Sequence, residues 1–138
     1  MSHRPVSMMP INRGLLGLIG LLVLCCPFLA VAGDQPAGDV GAGRLISRKC
    51  MACHDMTRAA TIRLGPPLWN IVGRKVATRT GYPYSAELLQ GQWLWSEEIL
   101  DSFLSAPKAM VPGTRMVFDG LPQPEERRDL IAFLKTLR

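Results

Sequence analysis

The chain has 138 residues, with 16 Lys and Arg against 11 Asp and Glu, a formal net charge of +5. That length allows one domain. The basic excess is mild, and no basic run is interleaved with aromatics, so nucleic acid is not indicated as a partner.

Arg4 and Arg13 precede an uncharged apolar run from Gly14 to Cys26, broken by Pro27 and followed by Ala30-Val31-Ala32. This is the layout of a secretory signal peptide, residues 1–32, cleaved after Ala32. Leu15–Leu24 is short for a membrane span, which needs about 20 residues. Read on to Ala32, residues 14–32 become long enough to serve as an uncleaved anchor in the inner membrane, the less favoured reading. Cys25 and Cys26 read as small hydrophobes of the leader; Leu24 and Cys25 are poor residues to precede a lipidated cysteine. The mature domain is then residues 33–138.

Gly33–Gly38 is a Gly- and Pro-containing lead-in. Asp39 is an N-cap for an amphipathic helix over 39–50, carrying Val40, Ala42, Leu45 and Ile46. Gly43 inside it costs about 1 kcal/mol relative to Ala, so another element is expected to approach closely there. Thr57–Leu64 reads as a loop and Gly65-Pro66-Pro67 as a rigid turn. Leu68–Val72 is one or two helical turns stopped by Gly73, and Arg74–Pro83 is a loop. Ser85 caps a short helix, Ala86–Gln90, that Gly91 ends. Gln92–Trp95 is a connector with two tryptophans. Ser96 caps a helix with Glu97 and Glu98 in its first turn, an apolar face of Ile99, Leu100, Phe103 and Leu104, and Pro107 as its stop. The stretch from Pro107 to Pro124 reads as irregular chain wrapped on a ligand. Pro124 stands at N1 of the best-formed helix, with Leu130, Ile131, Phe133, Leu134 and Leu137 on one face. No β pattern competes, so the fold class is all-α with about five helices.

The first helix runs into Cys50-Met51-Ala52-Cys53-His54. C-x-x-C-H is the attachment signature for c-type haem. Thiols three apart on a helical turn face the same way and reach the two vinyl groups along one edge of the porphyrin. The following His then supplies an axial ligand. Other uses of the pair fit less well. A zinc site needs a second set of ligands, and the only other histidine is His3 in the leader. A thioredoxin-like pair needs a βαβ pattern. A disulfide three residues apart closes a small strained ring.

An iron with an open second face binds ligands or substrates, whereas one with both faces filled transfers electrons. The mature chain offers no second His, and its methionines are Met51, Met56, Met110 and Met116. Met51 and Met56 are too close to His54 to cross the ring easily. Met110 and Met116 both lie on the wrapping segment. Met116 is favoured because Pro112-Gly113-Thr114-Arg115 forms a turn that can present it, although gap-filling in a core is the ordinary use of Met.

From Gly43 onward the chain resembles the class I c-type cytochromes, similar to mitochondrial cytochrome c and its soluble bacterial relatives. The residues that carry the resemblance are Cys50-Met51-Ala52-Cys53-His54, Gly65-Pro66, Gly73-Arg74-Lys75, Tyr84-Ser85, Trp95-Ser96-Glu97-Glu98, Pro107-Lys108, Val111–Phe118 and Asp129–Lys135. The resemblance implies a cytochrome c fold wrapped around one covalently attached haem c, with its first and last helices crossing at Gly43 and Phe133. It implies Met116 as the thioether ligand opposite His54, and the Pro66 carbonyl as the acceptor that orients His54. It also implies that Arg74, Tyr84 and Trp95 hydrogen-bond a buried propionate and that Phe118 shields the haem. Leu88 and Phe103 stand where many relatives carry Asn and Tyr around an internal water, which implies a drier pocket on the Met side. Pro122, Gln123 and Asp119 make the rim less basic than in mitochondrial forms.

The function this implies is one-electron transport in the bacterial periplasm, by a monomer that is not an enzyme. Its partners would be redox proteins such as a cytochrome bc1 complex, a terminal oxidase or another periplasmic oxidoreductase. Docking would run through Arg44, Lys49, Arg63, Lys108 and Arg115. The alternatives are a haem peroxidase or gas-binding sensor with a displaceable Met116, and an electron carrier held on the membrane by residues 14–32.

Overall fold

The computed structural model describes residues 37–138. The leader, its cleavage site, Cys25, Cys26 and most of the Gly- and Pro-containing lead-in lie outside the described residues. Six helices follow in chain order: α1 Val40–Ile46, α2 Arg48–Met51, α3 Ala86–Gln90, α4 Glu97–Ser105, α5 Pro107–Met110 and α6 Pro124–Lys135. Among the described residues there is no strand, only an isolated antiparallel bridge between Lys75 and Leu94. None of these helices is long and apolar enough to cross a membrane.

Asp39 starts α1 in the expected way, its Oδ1 accepting from the N–H groups of Gly41 and Ala42 at 2.7 and 3.0 Å. Its own N–H donates to Asp129 Oδ1 at 2.8 Å, so the same residue ties the start of α1 to α6. The single helix expected over 39–50 is divided at Ser47. That side chain is buried, and its Oγ donates to the Arg44 carbonyl at 2.8 Å. A hydroxyl that bonds back to the preceding turn competes with helix propagation. The chain tightens there, with the Cys50 N–H reaching only three residues back to the Ser47 carbonyl, at 2.9 Å.

The crossing of α1 and α6 depends on an absent side chain. A Cβ built on Gly43 would fall on the Asp129 carbonyl oxygen and 2.9 Å from the Phe133 Cβ. Gly38, just before the Asp39 cap, meets α6 in the same way, against the Arg128 carbonyl and 3.0 Å from the Ala132 Cβ. Below the crossing, Leu130, Ile131 and Leu134 of α6 pack with Leu100 and Leu104 of α4 and with Met56, Ile71, Leu121 and Leu137.

Arg127 is the polar exception on the buried face of α6. Its Nε donates to Asp101 Oδ1 at 2.7 Å, and Nη1 donates to the carbonyls of Leu121 and Pro122 at 2.8 and 3.0 Å. One side chain thus joins α6, α4 and the 121–122 turn. Removing it leaves buried carbonyls and a carboxylate without their donor. Arg127→Ala is expected to cost about 3 kcal/mol. It should appear as a lower urea midpoint with an unchanged slope, since the denatured state is not altered. Asp101→Asn should cost less, because Asp101 is 43% exposed and the carbonyl bonds of Arg127 survive.

Two expected elements differ. Leu68–Val72 forms turns rather than helix. Asn70 sits in the left-handed region at φ 54°, and its N–H donates to the Leu137 carbonyl at 2.6 Å, a tertiary bond taken in place of a helical one. Conversely, Pro107 stops α4 but opens the one-turn helix α5, where its missing N–H costs nothing. The irregular wrapping chain therefore spans 111–123.

Candidate functional site

The site begins at the end of α2. The N–H groups of Cys53 and His54 both bond to the Cys50 carbonyl, at 3.1 and 3.0 Å, so the chain keeps turning through the pentad. Cys50 and Cys53 are both half-buried and are not joined in a disulfide. Burial pushes the Cys50 thiol up, against the nearby Lys49 ammonium, which favours the thiolate.

His54 is held on two sides. Its Nδ1 lies 2.6 Å from the Pro66 carbonyl. Nδ1 must donate in that contact, which leaves Nε2 with the lone pair. A Cβ on Gly65 would strike the imidazole, 2.7 Å from Nδ1 and 2.9 Å from Nε2, so only glycine lets the ring lie here. Burial lowers the His54 pKa, while the Pro66 carbonyl pulls the other way. Burial therefore favours the neutral ring, the form a metal ligand requires.

Asp55, which the sequence reading passed over, fastens the next loop. Its carboxylate accepts from the N–H groups of Thr57 and Thr61 at 2.9 and 2.8 Å. Those two bonds hold it well below the usual carboxylate range. Its carbonyl also accepts from the Leu68 N–H at 2.8 Å. The loop and the Gly65–Pro67 turn are thereby fixed beside His54.

A cavity of about 470 Å³ opens beside the pentad. It collects Cys50, Cys53, His54, Pro66, Arg74, Tyr84, Trp95, Met116 and Phe118, which is every candidate cofactor and metal residue named from sequence. Leu100, Phe103 and Leu104 of α4 and Leu130 and Leu134 of α6 supply apolar wall. Met110 does not line it. The turn before Met116 forms as expected, with the Thr114 N–H bonding to the Val111 carbonyl at 2.9 Å and the Met116 N–H directed to Thr114 Oγ1 at 3.3 Å. Arg115 Nη1 donates to the Pro83 carbonyl at 3.0 Å, latching this segment to the chain before α3.

One end of the cavity is polar. Reciprocal bonds of 2.9 and 3.1 Å in the 73–76 and 93–95 segments bring Arg74 beside Trp95. Arg74 donates to the carbonyls of Pro67 and Trp69 at 2.8 and 3.2 Å, and no carboxylate among the described residues pairs with it. Burial lowers the Arg74 pKa and raises that of Tyr84. Ser85 occupies the N-cap position of α3, yet its hydroxyl does not cap the helix. That Oγ is buried on the cavity wall with no partner. A buried orphan hydroxyl and a guanidinium with no carboxylate partner, lining one cavity, suit an anionic ligand group. In the sequence Ser85 carries only the signature of a helix cap, which does not mark it for the cavity.

The donor set fits haem c. An apolar cavity carries two thiols, a neutral imidazole and a thioether, and its polar end suits a propionate. Among the described residues no cluster of three His, Cys, Asp or Glu could hold a bare metal ion. No family model matches the chain. It is, however, 42% identical over 103 residues to cytochrome c of Guizotia abyssinica, covering 74% of this chain and 93% of that protein. The chain belongs to the cytochrome c family. It is also 43% identical over 105 residues to cytochrome c2 of Rhodomicrobium vannielii, covering 76% of this chain and 84% of that one. Cytochrome cH from Methylobacterium extorquens superposes with a TM-score of 0.67 at 38% identity, over 72% of this chain and 99% of that structure. As a cytochrome c, the chain carries haem c covalently on its Cys pair and is an electron carrier rather than an enzyme.

Proposed function

We propose that this cytochrome is a periplasmic one-electron carrier whose haem iron is ligated by His54 and Met116. The leader, residues 1–32, is removed after Ala32 on export, and residues 33–138 form the carrier domain. The observation that supports the reading is one cavity holding both thiols, the ring of His54 and the side chain of Met116. When bound, haem supplies an iron that alternates between ferric and ferrous states. His54 and Met116 leave no open face for a substrate, and the thioether favours the ferrous form. Pro66 fixes the tautomer of His54, Arg74, Tyr84 and Trp95 hold a propionate, and Phe118 excludes water.

Docking follows from the rim. Arg44, Lys49, Arg63, Lys108 and Arg115 are all exposed, and Lys49 and Arg115 also line the cavity. Leu64 and Val117 join them there at 80% and 94% exposure, an apolar contact set among cations. Lys49 is partly neutralised by Glu126, 3.6 Å away. Such a face suits acidic patches on a cytochrome bc1 complex, a terminal oxidase or another periplasmic oxidoreductase, with a rate that falls as salt rises.

The ferric spectrum tests the ligation. A weak far-red iron–sulfur band at neutral pH with slow cyanide binding is expected; its absence with rapid cyanide or CO binding would indicate a peroxidase or gas sensor. Oxidation kinetics with candidate partners across salt concentrations test the docking face. Leu88 and Phe103 both line the cavity as apolar wall. A drier pocket disfavours the extra charge of ferric iron, so Leu88→Asn should lower the midpoint potential; an unchanged or higher potential would count against the dry wall.

A further inference from the structure

We propose that Arg79 is a second cationic residue of the propionate corner, acting by its charge beside Arg74 and Tyr84. The inference rests on the reading that Arg74 and Tyr84 face a haem propionate.

Arg79 is tied to Tyr84 and to the loop after the pentad. Its backbone N–H approaches Tyr84 Oη at 3.4 Å, and its Nη2 donates to the Ala60 carbonyl at 2.7 Å. With an acceptor role toward Arg79, the Tyr84 hydroxyl keeps its hydrogen for a group in the cavity that Tyr84 lines. Arg79 Nε is buried without a partner. No carboxylate among the described residues pairs with Arg79 or with Arg74. Burial chiefly disfavours the charged form of Arg74, the Arg79 charge adds to that, and both guanidiniums act on Tyr84. Two neighbouring, partly buried cations with no protein anion between them are unfavourable unless a bound anion compensates both.

The backbone points the same way. Ala60, whose carbonyl receives Arg79, has φ 50°, and Ala77, two residues before Arg79, has φ 54°. A left-handed alanine costs about 1–2 kcal/mol. The fold retains both while carrying the guanidinium to this corner.

A half-buried positive charge near the haem would stabilise the ferrous form. Arg79→Gln should lower the midpoint potential, and the drop should persist at high salt, because a partly buried charge is poorly screened. Arg79→Lys should stay closer to the parent than Arg79→Gln. Arg74→Gln is measured in parallel. If Arg79→Gln lowers Tm but leaves the potential unchanged while Arg74→Gln shifts it, Arg79 is only a latch between loops and the inference is overturned. If neither variant shifts the potential, the propionate reading falls as well. A drop that vanishes at high salt would place the charge at the surface and also overturn it.

Discussion

Gly43→Val should cost about 3 kcal/mol or more and lower Tm by at least ~10 °C. The argument is steric. A Cβ at residue 43 lands on the carbonyl oxygen of Asp129, and the Phe133 Cβ is 2.9 Å away. Neither neighbour is the tip of a flexible side chain; one is the backbone of α6 and the other is a branch point fixed to it. The helices must separate, and with them go the Asp39–Asp129 bond and part of the Leu130 and Leu134 packing that lines the cavity. Gly43→Ala gives the sign test. In an open helix that change stabilises by up to about 1 kcal/mol, whereas here it should destabilise, because the offending atom is already the Cβ. Thermal unfolding followed by circular dichroism reads both variants. An alanine variant as stable as the parent would mean that the helices do not meet at residue 43.

Much of this was legible in the sequence, because several features are local. The C-x-x-C-H pentad is set by the geometry of the porphyrin edge, so its spacing alone points to haem. Asp39, Ser96 and Pro124 mark helix starts by chemistry confined to one turn. Gly43 stood out as a residue unsuited to a helix interior. What the sequence concealed is tertiary. Leu68–Val72 is apolar enough for a helix, but Asn70 bonds to Leu137 instead, and no local pattern announces that partner. Arg127 reads as one more charge on an amphipathic helix until Asp101 and the 121–122 carbonyls surround it. Ser85 reads as a cap because Ser before a short helix usually is one; only burial reveals an unused hydroxyl facing the cavity. Asp55 follows the pentad as an ordinary polar residue, and its two amide partners become visible only when the loop closes on it.

Met116→Ala should produce the largest functional change. Axial ligands set haem potentials over a range of about 0.8 V, and loss of a thioether that favours ferrous iron should lower the midpoint on the order of 0.1 V. The far-red iron–sulfur band should disappear, and cyanide should bind the ferric protein much faster. Met110→Ala and Met56→Ala are the controls. Met110 is half-buried and outside the cavity, and Met56 packs in the hydrophobic core at 9% exposure. Both fit the gap-filling role that methionine ordinarily has, so these variants should lower stability while keeping the band and the potential. The comparison separates ligation from packing, which stability alone cannot do, because all three truncations remove the same apolar volume. Losing the band in Met110→Ala, or keeping it in Met116→Ala, would assign the sixth position to a different side chain. The retention of Thr114 and Arg115 contacts in Met116→Ala then matters: with the turn still latched to Pro83, the vacated position is a pocket of fixed shape, and the variant should bind small exogenous ligands rather than collapse.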